Sequence, residues 1–591
     1  MVKMGLEIHQ RLACNKLFCS CPSDLAEPEA KPDLVLRRRL HPVLSEMGEV
    51  DEASKAEFGK GMTFSYDAFD KSNCLVEIDE EPPHNLNPEA LAIALELAQH
   101  LNMKTVDELH IMRKMVIDGS NTSGFQRTAI AAFEGKLETS KGPIGIPLLA
   151  VEEESAGIIG TEGSEAAFRL DRLGIPLVEV STTPDIKDPE HLLEVAEKLG
   201  MIMRATGKVA RGLGTIRQDV NISTERGARV EIKGAQDLKM LPLLAQNEVK
   251  RQDALAAILD ERTARFGGKT VLAGKVVDVT EAFSSNKSPL ISKGLASGGS
   301  VLGLVLEKHA GLIGREIQPN RRYGTELSDY AKSAGVKGII HSDEDMGKYS
   351  ISAEELAALR TALGMGQGDA FVLVVAPAAQ AQAALSKVLE RARMDSIPAE
   401  TRKANQDATT SYMRPLPGKA RLYPETDVPP VRITKEMLES VSKGETLEDK
   451  KARLLKLLGN ADMADRMLRS RNLALFERLV KDGADPTLAA STLESTLVSL
   501  RREGVILEPD KVLPQLFGLY DKGAFVKAAI PDILKEAGKG RSVSDAAKDY
   551  PIISGKELEK IVKELGSDTK AIMSKYRTRI DPKELDKLIR K

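Results

Sequence analysis

The hydrophobic pattern changes its period along the chain, and that change constrains the fold more than any single motif does. Up to about Gly274, strand-like alternation and loops are broken by only a few long helical patterns. From Lys275 to about Arg393 helices and strands alternate, Pro398 to Val431 returns to loop and strand, and after Thr434 the pattern is almost entirely helical. A chain of 591 residues is too long for one core, and at about 150 residues per domain it divides into three to five. The expected fold class is multi-domain α+β. A large mixed-sheet domain spans 1–274 and resumes over 396–433, an α/β domain is inserted over 275–395, a helical domain covers 434–530, and a basic helical tail covers 531–591.

Within the first stretch, Pro88 to Leu101, Pro189 to Ala205 and Pro242 to Phe266 have helical spacing. Leu6 to His9, Lys114 to Ile117, Leu177 to Val180, Ile216 to Ile222 and Ala228 to Ile232 read as strands. Overall charge is −3, so no whole-protein field favours a polyanion. The last 61 residues nevertheless sum to +4 against −7 for the rest, a polarity that suits tRNA as well as an ordinary solvated helical surface. The longest apolar stretch, Phe371 to Ala379, is too short to span a membrane. Glu7 and His9 stand where a signal peptide needs an apolar run, so a cytoplasmic protein is expected. Four cysteines fit a reducing compartment. Cys14, Cys19 and Cys21 form C-x4-C-x-C, which reads as small buried thiols before it reads as part of a zinc site.

The common nucleotide and hydrolase signatures are missing: there is no G-x4-G-K-[ST], no G-x-G-x-x-G after a strand, no H-E-x-x-H and no G-x-S-x-G. The remaining chemistry is acidic and dispersed. Glu7 and His9, two apart on a strand, share a face where a carboxylate and an imidazole could share a metal, although a plain polar strand face is the commoner reading of that spacing. Glu152, Glu153 and Glu154 repel one another unless a cation or solvent relieves them. Glu179 interrupts the apolar Pro176 to Val180, where an unpaired carboxylate is costly, so it requires a partner. Arg217, Asp219, Asn221 and Ser223 share one face of the next strand, a surface for a sugar, a phosphate or hydrated Mg²⁺.

An ordered series of segments then resembles a known family. Gly5-Leu-Glu-Ile-His9, Lys16-Leu-Phe-Cys19, Glu153-Glu-Ser-Ala-Gly157, Asp171 to Glu179 and Pro184-Asp-Ile186 open it. Arg217 to Ser223, Glu231-Ile-Lys233, Glu400-Thr-Arg402 and Tyr423-Pro-Glu-Thr-Asp427 complete it. Together they resemble the B/E-type subunits of tRNA-dependent amidotransferases. The segment from Val279 to Arg393 looks like the domain inserted in bacterial-type aspartyl-tRNA synthetases, which marks the archaeal E branch rather than the bacterial B branch. The helical end is similar to that family's helical and YqeY-like tail domains.

The resemblance implies a cradle-like catalytic domain that phosphorylates the γ-carboxylate of Glu-tRNA(Gln) with ATP and replaces the phosphate with ammonia. It implies Mg²⁺ held by His9, Glu154 and Glu179, with Glu7 and Asp219 beside them and His9 as neutral imidazole. Arg113, Lys114, Arg217 and Asp219 would meet the nucleotide. Ser155 stands where the family usually has aspartate, and the bacterial zinc-binding cysteine sets are incomplete. No convincing amidase or asparaginase signature is present, so ammonia would come from an asparaginase-like D subunit, in a two-plus-two heterotetramer by analogy. Because the body is acidic, the basic tail and the insert are the candidates for tRNA; Tyr412, Arg414, Arg421, Tyr423, Tyr576, Arg577 and Arg579 suit stacking and phosphate contact, and the aromatics suit a structural role as well. The rival expectations are a B-type protein serving both Glu-tRNA(Gln) and Asp-tRNA(Asn), and a tRNA-binding protein without catalysis.

Overall fold

The computed structural model describes residues 2–44, 48–418, 421–441, 445–566 and 568–590. It divides into two compact units, 1–444 and 445–591.

The first unit is organised by an eleven-stranded mixed sheet. Ten of its strands concern the site: β1 (Lys3–Arg11), β2 (Met112–Met115), β3 (Phe125–Leu137), β4 (Ile144–Glu153), β5 (Pro176–Ser181), β6 (Ile216–Ser223), β7 (Val230–Lys233), β8 (Glu400–Ala404), β9 (Thr410–Pro415) and β10 (Leu422–Pro424). They lie in the order β9-β8-β7-β6-β1-β5-β4-β3-β2-β10, and the neighbours are antiparallel except β7 and β8. The first and last thirds of the unit thus meet in one sheet. The β3–β4 hairpin is longer than any strand foreseen, and a bulge between Ile130 and Ala132 breaks the alternation that would have announced it.

One sheet face is apolar. Leu6, Ile8, Val178, Val180, Val220, Ile222, Val230 and Ile232 pack with helices α1 (Pro88–His100), α2 (Pro189–Ala205) and the start of α3 (Leu241–Phe266) in one core. Asn87 caps α1 by accepting from the Glu89 and Ala90 amides, Asp188 caps α2, and proline occupies the first turn of each. The opposite face carries the alternate residues and is polar.

Helix α3 is about 39 Å long at 1.5 Å per residue and belongs to two cores. Leu241, Leu244 and Ala245 pack in the sheet core, while Leu255, Ala256 and Ile258 pack with residues 302–397. It ends at Gly267, whose φ of +70° is the left-handed cap glycine adopts without strain. Residues 276–376 then supply a separate four-stranded antiparallel sheet.

The second unit is helical. Its main core runs from Leu454 to Ala547, and a smaller one collects Ile553, Leu558, Ile561, Ile572, Ile580 and Leu585. Ile530, Ile533, Leu534, Val543, Ala546 and Ala547 belong to the main core, so packing does not break at the 530/531 boundary expected from charge. Among the described residues, no helix is long and apolar enough to cross a membrane.

Candidate active site on the polar face of the sheet

Register builds the site. Across β1, His9 pairs with Glu179 on one side and Arg217 on the other, and Glu7 pairs with Asp219. Paired residues project to the same face, so these side chains converge without any loop to position them. His9 Nε2 lies 3.4 Å from Glu179 Oε2 and 3.7 Å from both Glu7 Oε1 and Glu152 Oε2. Glu7 also faces Asp219 and Glu231, a second group whose ligand atoms lie within 4.8 Å of one another.

Two lysines border this acidic patch. Lys114 donates to Glu152 Oε1 at 2.5 Å and approaches Glu179 Oε2 at 3.5 Å. Lys233 donates to Asp219 Oδ2 at 2.6 Å and reaches Glu231 Oε1 at 3.0 Å. Five carboxylates therefore meet two lysines and one imidazole. Burial, then the charge of Glu179, pushes the Glu7 carboxyl up to about 7. Burial alone would lower His9, but Glu179, Glu152 and Glu7 overcome it and raise the imidazole to about 9. Burial also opposes ionisation of Glu179, yet Lys114 and His9 hold its carboxyl below the usual range. The neutral His9 expected of a metal ligand thus requires a cation to replace the proton that the carboxylates now retain.

The expected ligand set needs one correction. Glu154 does not face His9: it lies just beyond β4, fully buried, where Arg11 Nε donates to Oε2 at 2.8 Å and Arg217 Nη2 to Oε1 at 2.5 Å. Burial would raise its pKa, but Arg217, Arg172 and Arg11 hold it low. Glu152, two residues earlier on the strand, reaches the imidazole instead. The expected nucleotide contacts divide as well. Lys114 faces the cluster, whereas Arg113, the adjacent strand residue, lies over the Phe125 and Tyr423 rings and donates to the Pro424 carbonyl. Arg217 is committed to Glu154. Lys233 and Glu231 had no assigned role in the sequence, although the alternation in Glu231-Ile-Lys233 places both on the polar face.

The cysteines form a different group from the one their spacing suggested. Cys19, Cys21, Cys74 and Glu77 place ligand atoms within 4.8 Å of one another, while Cys14 lies outside the group. Cys19 Sγ donates to Glu77 Oε1 at 2.9 Å, and burial followed by Glu77 raises its thiol well above the ordinary range.

A sheet with helices on one face and a carboxylate–imidazole cluster on the other is, in this chain, the GatB/GatE catalytic domain: the model of that family matches residues 2–439, and the chain belongs to the family. Relatives that match nearly the whole chain bear the name of the E subunit of glutamyl-tRNA(Gln) amidotransferase. That of Pyrococcus furiosus is 46% identical over 574 residues, covering 95% of this chain and 91% of the relative. The Haloarcula marismortui protein is 48% identical over 553 residues, covering 91% and 86%, and that of Methanocaldococcus jannaschii is 44% identical over 625, covering 100% and 98%.

Proposed function

We propose that this chain is the subunit of a Glu-tRNA(Gln) amidotransferase that activates the esterified glutamate with ATP and amidates it. The reading rests on the excess of carboxylates around His9, in a chain whose full-length relatives are named for that amidotransferase. Glu7, His9 and Glu179 fit Mg²⁺, with Glu152 and Asp219 adjacent, because hard oxygen donors and one imidazole suit a divalent cation and the surplus negative charge calls for one. Bound there, Mg²⁺ supplies neutralisation of phosphate oxygens.

The rest of the chemistry needs positioning rather than a protein nucleophile. A γ-carboxylate oxygen of the glutamate attacks the terminal phosphorus of ATP, and ADP leaves with the electrons of the broken P–O bond. Ammonia then attacks the acyl carbon, phosphate leaves with the C–O electrons, and the nitrogen loses a proton. Lys114 and Lys233 hold Glu152, Glu179, Asp219 and Glu231 in place during these steps. Ammonia is assigned to an asparaginase-like D subunit, in a two-plus-two assembly in the cytoplasm. We assign residues 275–395 as the inserted domain and the helices after 434 as the helical and YqeY-like tail domains that meet tRNA, the tail's own core beginning at Ile553.

The test supplies the full chain with Glu-tRNA(Gln), ATP, Mg²⁺ and ammonium chloride and follows the esterified amino acid. Gln-tRNA(Gln) should form, Asp-tRNA(Asn) should give nothing, and His9→Ala should abolish the product. Full turnover in His9→Ala would remove the site assignment. Product from both tRNAs would favour a B-type specificity.

A further inference from the structure

Almost every cationic side chain named on the polar face is paired with a carboxylate: Lys114 with Glu152, Lys233 with Asp219, and Arg11 and Arg217 with Glu154. Arg414 and Arg421 differ. Among the described residues neither has a carboxylate within ion-pair distance, and the Nε of Arg414 is buried without a hydrogen-bond partner. Arg421 spends its Nε on the Met115 carbonyl at 3.0 Å.

Arg414 belongs to the site by register, and Arg421 by the charges it lies among. Arg414 on β9 pairs with Thr401, Thr401 with Glu231, and Glu231 with Asn221, so Arg414 projects from the same face as the acidic cluster. Thr401 marks the same face by donating to Glu231 Oε2 at 2.9 Å. Arg421 immediately precedes β10, where Leu422 pairs with Lys114. It lies within electrostatic reach of Asp51, Glu152 and Glu231 and also of Arg414, and burial followed by Arg414 lowers its pKa. Two neighbouring, half-buried guanidiniums with carboxylates nearby but none in ion-pair contact keep donors free, and an anionic ligand of the site satisfies them.

We propose that Arg414 and Arg421 bind the phosphate chain of the nucleoside triphosphate beside the Glu7–His9–Glu179 cluster. This deepens the functional reading above and rests on it. A guanidinium fork matches phosphoryl oxygens in geometry and in charge. The arginines exchange no proton: as the substrate carboxylate forms its bond to the terminal phosphorus and the bridging P–O bond breaks, they carry the charge that moves onto the departing ADP. Their position also explains why Arg113, turned to the other side of its strand, is not needed for this task.

The test is equilibrium binding of ATP, adenosine and inorganic tripolyphosphate to the full chain with Mg²⁺, alongside tRNA binding. Arg414→Gln and Arg421→Gln should each weaken ATP and tripolyphosphate by about tenfold or more, the scale of one charge-assisted hydrogen bond. Arg414→Lys and Arg421→Lys should recover part of the loss, since an ammonium keeps the charge without the fork. Adenosine and tRNA affinities should not change. Unaltered tripolyphosphate affinity in all four variants overturns the proposal, as does a selective loss of tRNA affinity, which would assign the pair to the nucleic-acid backbone. If a glutamine variant does not fold, the lysine variants decide by the same readout. These are binding measurements, so they stand apart from amidation: a wild-type chain that binds tripolyphosphate through these arginines yet makes no Gln-tRNA(Gln), alone or with an asparaginase-like D subunit added, would refute the functional reading and leave the anion contact standing.

Discussion

The first unit holds two ion clusters, and they are built on opposite plans. At the junction of α3 with the 276–393 segment, Arg251, Arg391 and Arg402 face Glu248, Glu326 and Glu400, three charges of each sign. Arg251 reaches Glu248 at 2.9 Å and Glu326 at 2.7 Å, Arg402 reaches Glu400 at 2.5 Å and Glu326 at 3.1 Å, and Arg391 reaches Glu326 at 3.2 Å. Tyr330 adds a hydrogen bond to Glu400 at 2.6 Å. This cluster is fully buried and its charges balance internally. In the cluster around His9 the groups in direct contact are five carboxylates against two lysines and one imidazole, and His9 and Glu179 stay partly exposed. Balanced charge ties elements together and needs nothing further, whereas unbalanced charge in a cleft invites a ligand.

The largest expected effect comes from breaking the balanced cluster. Glu326→Gln leaves Arg251, Arg391 and Arg402 short of one negative charge in a water-free site and should cost about 3–5 kcal/mol, read as a fall in the thermal unfolding midpoint of the full chain. Acid should act in the same direction. Burial favours the neutral carboxyl of Glu326, but Arg402, Arg251 and Arg391 hold its folded pKa well below the unfolded value. The stability it provides is therefore present above the ordinary carboxylate range and is lost only as the pH falls through the lower, folded value. Glu326→Gln should flatten that part of the acid denaturation curve. A variant as stable as wild type at neutral pH would show that the cluster does not join these elements.

The unbalanced cluster should respond less in stability and more in turnover. Glu179→Gln removes a carboxylate that Lys114 and His9 hold ionised, so its unfolding midpoint should fall, but by less than that of Glu326→Gln because this site is partly exposed. Formation of Gln-tRNA(Gln) should fall by about 10²–10³-fold, the usual cost of losing one group that stabilises transition-state charge. Glu154→Gln separates the two plans: a carboxylate clasped by arginines should cost stability when neutralised, by about 1–3 kcal/mol for the hydrogen bonds lost, with a smaller effect on turnover. A collapse of turnover in Glu154→Gln with an unchanged unfolding midpoint would restore it to the ligand set.

The contrast also marks what the sequence could reveal. Glu179 was legible because it interrupts an apolar strand, and Glu7 with His9 because two-residue spacing fixes a common face. Helix α2 was legible from its cap, proline and periodicity, and its expected span matches the structure. The choice between Glu152 and Glu154 was not legible: both have the same strand parity, and only the end of β4 at Glu153 turns the later one toward Arg11 and Arg217. Similarly, nothing in the sequence of α3 announces that Arg251 and Glu248 are buried, because charged residues at helical spacing resemble a solvated face until the insert packs over them. The tail boundary failed for a related reason. Surface charge changes near residue 531, but the apolar positions of 530–547 continue the preceding core.

The smallest expected effect is the most direct comparison of the two clusters. A cation that binds only the folded chain stabilises it by RT ln(1 + [L]/Kd), about 1.4 kcal/mol at ten times Kd and about 2.7 at a hundred times. Wild-type chain titrated with Mg²⁺ should therefore unfold at a slightly higher temperature as the metal rises. Glu179→Gln should begin slightly lower and lose most of that increment. Glu326→Gln should begin lower and gain the full increment, because the two clusters have no ion pair in common and independent sites add. An equal Mg²⁺ increment in Glu179→Gln would place the stabilising cation elsewhere on the protein. A reduced increment in Glu326→Gln would mean that the balanced cluster also shapes the open one, coupling the inserted segment to the catalytic face.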